Sequence, residues 1–200
     1  MTTRGFFRRR TEAGEGHRLP PGQYEERGFP VLSYEPTPSI PLTEWEFVIK
    51  TITDRVAWSW DEMMSLPQTD WTVDIHCVTK WSKFGTTWRG VTVDDLIAAA
   101  GIEVKEPFCL VYSHTPYTTN LPTDDLIGGK AMVAHTFDGR PLDPEHGGPA
   151  RLLVPHLYFW KSAKWVRGLR FIEQDIPGFW ETYGYHNRGD PWLEQRYAGD

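Results

Sequence analysis

The chain predicts an α+β fold: a mixed, strand-rich domain with short helices and irregular termini. Short runs of alternating apolar residues recur along its length, and 93–100 is the clearest stretch with sustained helical period. Sixteen prolines and eighteen glycines punctuate the rest, which leaves little room for long helices. At 200 residues the chain suits one domain able to bury a substantial core.

Residues 1–30 are rich in Gly, Arg, Glu and Pro without periodicity, so a loose N-terminal arm, disordered or draped over the surface, precedes a domain of 31–200. The four prolines of 30–41 (PVLSYEPTPSIP) exclude a helix or a central strand and leave a stiff strap, either a cover or a pocket wall. Residues 44–53 alternate with Trp45, Phe47 and Ile49 on one face, a strand, and 55–60 is a second. A short helix follows at 61–66, stopped by Pro67. Trp71, Val73, Ile75 and Cys77 then share one face of a strand and Thr72, Asp74 and His76 the other, so Cys77 faces inward where strand gives way to loop.

Thr92 caps a helix whose Val93, Leu96, Ile97 and Ala100 form one apolar stripe, and Gly101 ends it. Strands are expected at 108–113 and 131–137, with a short helix at 122–127 between them. Asp138-Gly139 is a hairpin turn leading to 140–142. Two more strands, 151–154 and 164–173, precede an irregular tail over 177–200.

A formal charge of −6 argues against a nucleic-acid or anionic-membrane binder, and no apolar run is long enough to span a bilayer. Two cysteines without zinc spacing point to a reducing compartment. Arg8, Arg9 and Arg10 are not followed by an apolar segment, so the expected location is cytoplasmic.

Two stretches carry chemistry. The first is 74–82, DIHCVTKWS. A lone strand cysteine is by residue type a small core hydrophobe. Cys77 stands at a strand end, with Lys80 close enough in sequence to favour a thiolate, which is a soft metal ligand. No second cysteine or histidine set accompanies it, so a metal here needs ligands from outside the protein. The second stretch is basic: between 140 and 170 six Lys or Arg face two acids. Gly147-Gly148 permits close backbone approach to a ligand, and Lys161-Ser162-Ala163-Lys164 offers a phosphate cradle. A solvated strand face accounts for the same charges. His76 reads as structural, Cys109 as core, and His156 as able to reach a site between the two stretches. Tyr183, Tyr185 and His186 are candidate proton donors in the tail.

HCVTKWS, YTTNLP, GGPARLLVP, WKSAKWVRG and GFWETYGYHNRGDPW, in that order, resemble the sulfite oxidase superfamily over about residues 30–192. More narrowly they resemble its short bacterial molybdopterin-dependent branch, that of methionine-sulfoxide reductase catalytic subunits. The resemblance implies the sulfite-oxidase-type molybdopterin-binding domain and one molybdenum held by the dithiolene of a single pyranopterin, oxo groups and a protein cysteine. Cys77 matches that ligand. Arg151 matches a cofactor-contacting arginine, and Ser162, Ala163 and Lys164 match the phosphate-binding segment. His146, Ser33, Tyr34 and Thr115 fall near further cofactor contacts, and Tyr185 is the tail residue expected to assist catalysis. The arginines that clamp sulfite in animal-type enzymes are absent: Val78 to Ser82 and Leu32-Ser33-Tyr34 contain none.

These features lead to an oxidoreductase performing two-electron oxygen-atom transfer on a small S-oxide, N-oxide or related substrate, served by an electron-donor or electron-acceptor protein. Two alternatives stand beside it. One is a cofactor- or partner-binding protein of the same fold without turnover; the other is a thiol couple of Cys77 and Cys109.

Overall fold

The computed structural model describes residues 18–200. Along the chain the strands are β1 (Tyr24–Glu25), β2 (Glu46–Lys50), β3 (Arg55–Ser59), β4 (Thr69–His76), β5 (Trp81–Thr92), β6 (Phe108–Ser113), β7 (Thr118–Pro122), β8 (Met132–Phe137), β9 (Arg140–Pro141), β10 (Arg151–Leu153) and β11 (Val166–Ile172). The helices are α1 (Trp60–Ser65), α2 (Val93–Ala100) and α3 (Phe179–Thr182).

Two sheets organise the molecule. In the first, β5 pairs with β4 along one edge, while its other edge meets β1 near Trp81 and β8 from Trp88 onward; β10 and β9 pair with β8. The second runs β3-β2-β11-β6-β7, antiparallel except where β11 meets β2. The alternation of strand side chains then sorts the interior. Val133 and Leu152 face the core shared with Phe47, Val111, Leu169 and the buried face of α2. Their neighbours Met132 and Leu153 face the opposite way, into a second cluster with Ile75, Trp88 and Cys77. Arg151 is two residues from Leu153, so parity sends it to that second face as well.

Local chemistry fixes the elements as expected in several places. Thr92 Oγ1 accepts from Asp95 N at 3.0 Å, and Gly101 ends α2 at φ 63°. Asp138 (φ 45°) and Gly139 (φ 74°) turn β8 into β9. Four expectations change. The expected helix at 122–127 is a single 3-10 turn, Thr123–Asp125, because Thr118–Pro122 pairs with β6 as a strand. The twelve-residue β5 has no counterpart in the sequence reading: its Ser, Lys, Gly and Thr content hides a strand stabilised by neighbours on both edges. The tail beyond 177, expected irregular throughout, carries the short helix α3 and a bridge between Tyr185 and Tyr197.

The fourth is the arm. Residues 1–17 lie outside the described residues; 18–30, expected disordered or draped over the surface, take the draped form and are tied to β5: Tyr24 N donates to Lys80 O at 2.9 Å and Glu26 N to Ser82 O at 2.8 Å. Backbone pairing to an open edge of β5 supplies what this polar composition lacks. Among the described residues no helix is long and apolar enough to cross a membrane.

Candidate active site

Cys77 occupies the turn joining β4 to β5. Its N–H donates to Trp81 O at 2.8 Å, and Lys80 N, at φ 78°, donates to Cys77 O at 3.0 Å. Both ends of the described chain brace this turn: Gln23 Nε2 donates to Cys77 O at 3.1 Å and Arg196 Nη1 to Val78 O at 2.7 Å. The thiol is 8% exposed, and Thr79 Oγ1 donates to its Sγ at 3.2 Å. Burial pushes the Cys77 pKa up; the Thr79 hydroxyl, nearby amides and the Arg196 charge oppose this. Lys80, expected to favour the thiolate, is exposed and is not among those causes. Removal from water outweighs the charges at hand.

The thiol faces a cavity of about 320 Å³. Of the expected site residues, Ser33, Tyr34, Cys77, His146, Arg151, Ser162, Ala163, Lys164 and Tyr185 line it. Thr115 does not; it belongs to the turn before β7, where its Oγ1 accepts from Tyr117 N at 3.4 Å. The proline-rich strap proves to be a wall of the cavity, through Pro30, Leu32, Ser33, Tyr34 and Glu35, with Phe29 just before it.

Arg151 is the main electrostatic feature. It is 1% exposed, and its guanidinium donates to three carbonyls: His146 O at 2.8 Å, Ser162 O at 2.6 Å and Leu152 O at 3.5 Å. It lies over the Phe159 ring at 4.0 Å. Among the described residues no carboxylate pairs with it. Desolvation lowers its pKa to about 9. A buried cation held only by dipoles, beside a cavity, leaves room for an external anion. Lys164 is next to it: burial, and then the Arg151 charge, lower its pKa to about 8, while Nζ donates to Glu145 O at 2.7 Å. His146 stacks on Phe29 at 3.9 Å and 6°, and burial followed by the two cations lowers its pKa, which keeps it neutral near pH 7.

Several expectations resolve differently. Lys161 is not part of a phosphate cradle: it is fully buried and bound to Glu181 Oε1 at 2.6 Å, Asn120 O at 2.7 Å and Asn187 O at 2.6 Å. Ser162 Oγ accepts from Val154 N at 2.8 Å, so its hydroxyl organises the turn. Gly147 and Gly148 bring chain against chain rather than chain against ligand. A Cβ on Gly147, at φ 111°, would meet Lys164 Cα at 3.0 Å, and one on Gly148 would collide with Leu142 O. His156 turns away to a different cleft, where Nε2 lies 3.1 Å from Asp125 Oδ1. His186 Nδ1 accepts from Arg188 N and Gly189 N. His76 is structural as expected, with Nδ1 2.8 Å from Ser82 Oγ. Cys109 is buried in the main core and Cys77 in the second cluster, both free, so a couple between them has no geometric basis.

The sequence reading missed the aromatic walls: Phe29, Trp81, Tyr117, Phe159, Trp160 and Trp180. The high aromatic content was the signal, but it does not say which rings converge. Tyr117 OH donates to Trp160 O at 2.6 Å, and burial raises its pKa well above the ordinary phenol value. Tyr185, also raised by burial, packs on Trp160 at 5.2 Å and Trp180 at 5.1 Å.

Residues 34–180 match the family described as the oxidoreductase molybdopterin binding domain. The chain belongs to this family. It is 39% identical over 197 residues to an "Uncharacterized oxidoreductase YuiH" of Bacillus subtilis (strain 168), covering 98% of this chain and 100% of that protein. It is 27% identical over 136 residues to a "Putative protein-methionine-sulfoxide reductase subunit YedZ1" of Azospira oryzae, covering 68% of this chain and 51% of that protein. The fold is similar to the sulfane dehydrogenase SoxCD of Paracoccus pantotrophus, with a TM-score of 0.62 at 19% identity over 70% of this chain and 41% of that one. The chain thus spans all of the first relative and about half of the second. The sulfite oxidase superfamily and the strand-rich molybdopterin-binding fold, both expected from the motifs, are borne out.

The residues fit the family's cofactor. Among the described residues no group of three or more His, Cys, Asp or Glu side chains comes together to hold a metal, so a metal at Cys77 takes its other ligands from a bound molecule. The cavity offers such a molecule both a thiol and the Arg151 and Lys164 cations.

Proposed function

We propose that the chain is a molybdenum–molybdopterin oxidoreductase that carries out two-electron oxygen-atom transfer on a small S-oxide, N-oxide or related substrate. The observation that carries this reading is the pairing, around one cavity, of a buried thiol with a buried arginine that meets no carboxylate among the described residues. Cys77 would bind the metal, and Arg151, Lys164 and the turn at 162–164 would hold the phosphate-bearing end of one pyranopterin. When bound, the group supplies the two-electron redox couple.

The chain's own residues do the rest. Backbone carbonyls fix the Arg151 guanidinium in place before any ligand arrives, so little ordering is required on binding. Tyr185, kept as a neutral phenol by burial, is placed to give a proton within the cavity. Trp160, Trp180 and Phe159 restrict water and strengthen every charge interaction inside. The cavity's strap wall contributes Glu35 rather than an arginine, which disfavours sulfite as substrate. An electron-transfer protein completes the cycle, and two free cysteines suit a reducing compartment such as the cytoplasm.

The test is reoxidation of dithionite-reduced, molybdenum-loaded protein by a panel of S-oxides and N-oxides. Stoichiometric loss of oxygen from at least one of them is expected. No reoxidation by any, with molybdenum present, would leave cofactor binding without turnover as the better account.

A further inference from the structure

The cavity wall carries charge of both signs. Among the described residues its basic side chains are His146, Arg151 and Lys164, and its single acid is Glu35, on the strap. Among the described residues Oε1 of Glu35 is shielded from solvent and has no hydrogen-bond donor. Leaving a carboxylate oxygen dry and unmatched costs free energy, so this oxygen favours a cationic or donor-bearing occupant.

Its surroundings narrow the choice. The Tyr34 ring lies 6.3 Å from Tyr117 and 6.1 Å, edge-on, from Trp180. Trp180 in turn lies 5.1 Å from Tyr185, which extends the same wall of rings. Burial and then the neighbouring Glu35 charge raise the Tyr34 pKa; burial and then Glu181, with a smaller contribution from Glu35, raise that of Tyr117. A small alcohol or amide would satisfy the carboxylate but gain little from the rings. An ammonium group gains from both, by pairing its charge with the carboxylate and by the attraction of aromatic rings for cations.

We propose that Glu35, with Tyr34, Tyr117 and Trp180, forms a subsite for a cationic group, a quaternary or protonated amine carried by the substrate. The word substrate rests on the oxidoreductase reading above; the cation subsite itself does not. The subsite gives the cavity a preference opposite to that of a sulfite clamp: a dianion meets a carboxylate, and a cationic S-oxide or N-oxide meets its counter-charge.

The test uses three probes of one shape in the purified holoenzyme: choline, uncharged 3,3-dimethylbutan-1-ol and anionic 3,3-dimethylbutanoate. Binding is read by tryptophan fluorescence and calorimetry. Choline is expected to bind about tenfold tighter than the alcohol, with the anion weakest. Glu35→Gln should bring choline close to the alcohol while leaving the alcohol's affinity unchanged, and added salt should weaken choline alone. Equal binding of choline and alcohol in the wild type, or an unchanged preference in Glu35→Gln, overturns the proposal. Because no turnover is needed, an enzyme inert to every S-oxide and N-oxide counts against the oxidoreductase reading and leaves a choline preference standing. An active enzyme without that preference counts against the subsite alone.

Discussion

Arg151 and Lys161 are ten residues apart in the same basic stretch, both buried, and they do opposite things. Lys161 has a full set of partners: Glu181 Oε1 at 2.6 Å, the carbonyls of Asn120 and Asn187 at 2.7 and 2.6 Å, and Asn120 Oδ1 at 3.1 Å, while Thr119 and Trp160 donate to the same Glu181 oxygen at 2.8 and 2.9 Å. It pins α3 and the tail onto β7. Arg151 has, among the described residues, carbonyls only as hydrogen-bond partners and opens on the cavity. Burial alone therefore does not mark a functional cation. What marks one is burial with the counter-charge missing, because the protein then tolerates a cost that a ligand removes.

Four substitutions sharpen that contrast, in order of expected effect. Arg151→Met should cut molybdenum retention at least about tenfold, since it removes a charge-assisted anion contact. Its apo-protein should lose only about 1–3 kcal/mol, the price of unmatched carbonyls. Metal analysis and urea unfolding of the same preparations check both. Lys161→Met should reverse the pattern, costing about 3–5 kcal/mol in urea unfolding by stranding Glu181 in the interior. Equal losses of stability in the two variants would erase the distinction.

The third effect is pH-dependent. The folded pKa of Lys164, about 8, lies below its ordinary 10.5, so between those values the unfolded chain binds more protons and this group's contribution to stability rises with pH. Anion binding runs the other way and is lost as Lys164 deprotonates. Binding of inorganic phosphate to the apo-protein should therefore weaken as pH passes upward through about 8, and Lys164→Met should flatten that profile. The smallest effect belongs to Thr79→Val. Loss of the hydroxyl donor to Cys77 Sγ should raise the thiol pKa further and slow alkylation of the apo-protein by a few-fold at pH 8.

Local signals were legible in the sequence. The Thr92 cap, the Asp138-Gly139 turn and the strand parity that turns Cys77 inward each depend on a few adjacent residues. The order of five motifs pointed to the molybdopterin-binding family, and Cys77, Arg151, Ser162, Ala163, Lys164 and Tyr185 within them line the cavity. Pairings across the chain were not legible. Glu181 is 20 residues from Lys161, and nothing local says they meet. β5 reads as polar because its stability comes from strands on both edges; Gly90 is required where a Cβ would collide with Val133 O on β8. The strap's role as a wall, and Glu35 within it, depends on how an irregular segment folds back, which proline content constrains but does not direct.

The central claim is that Cys77 and one pyranopterin share a molybdenum. X-ray absorption at the molybdenum edge of protein from a molybdopterin-competent host tests it most directly. Three sulfur ligands are expected in the wild type, two from the dithiolene and one from Cys77, falling to two in Cys77→Ser. Protein without molybdenum, or the same sulfur count in both, would contradict the account.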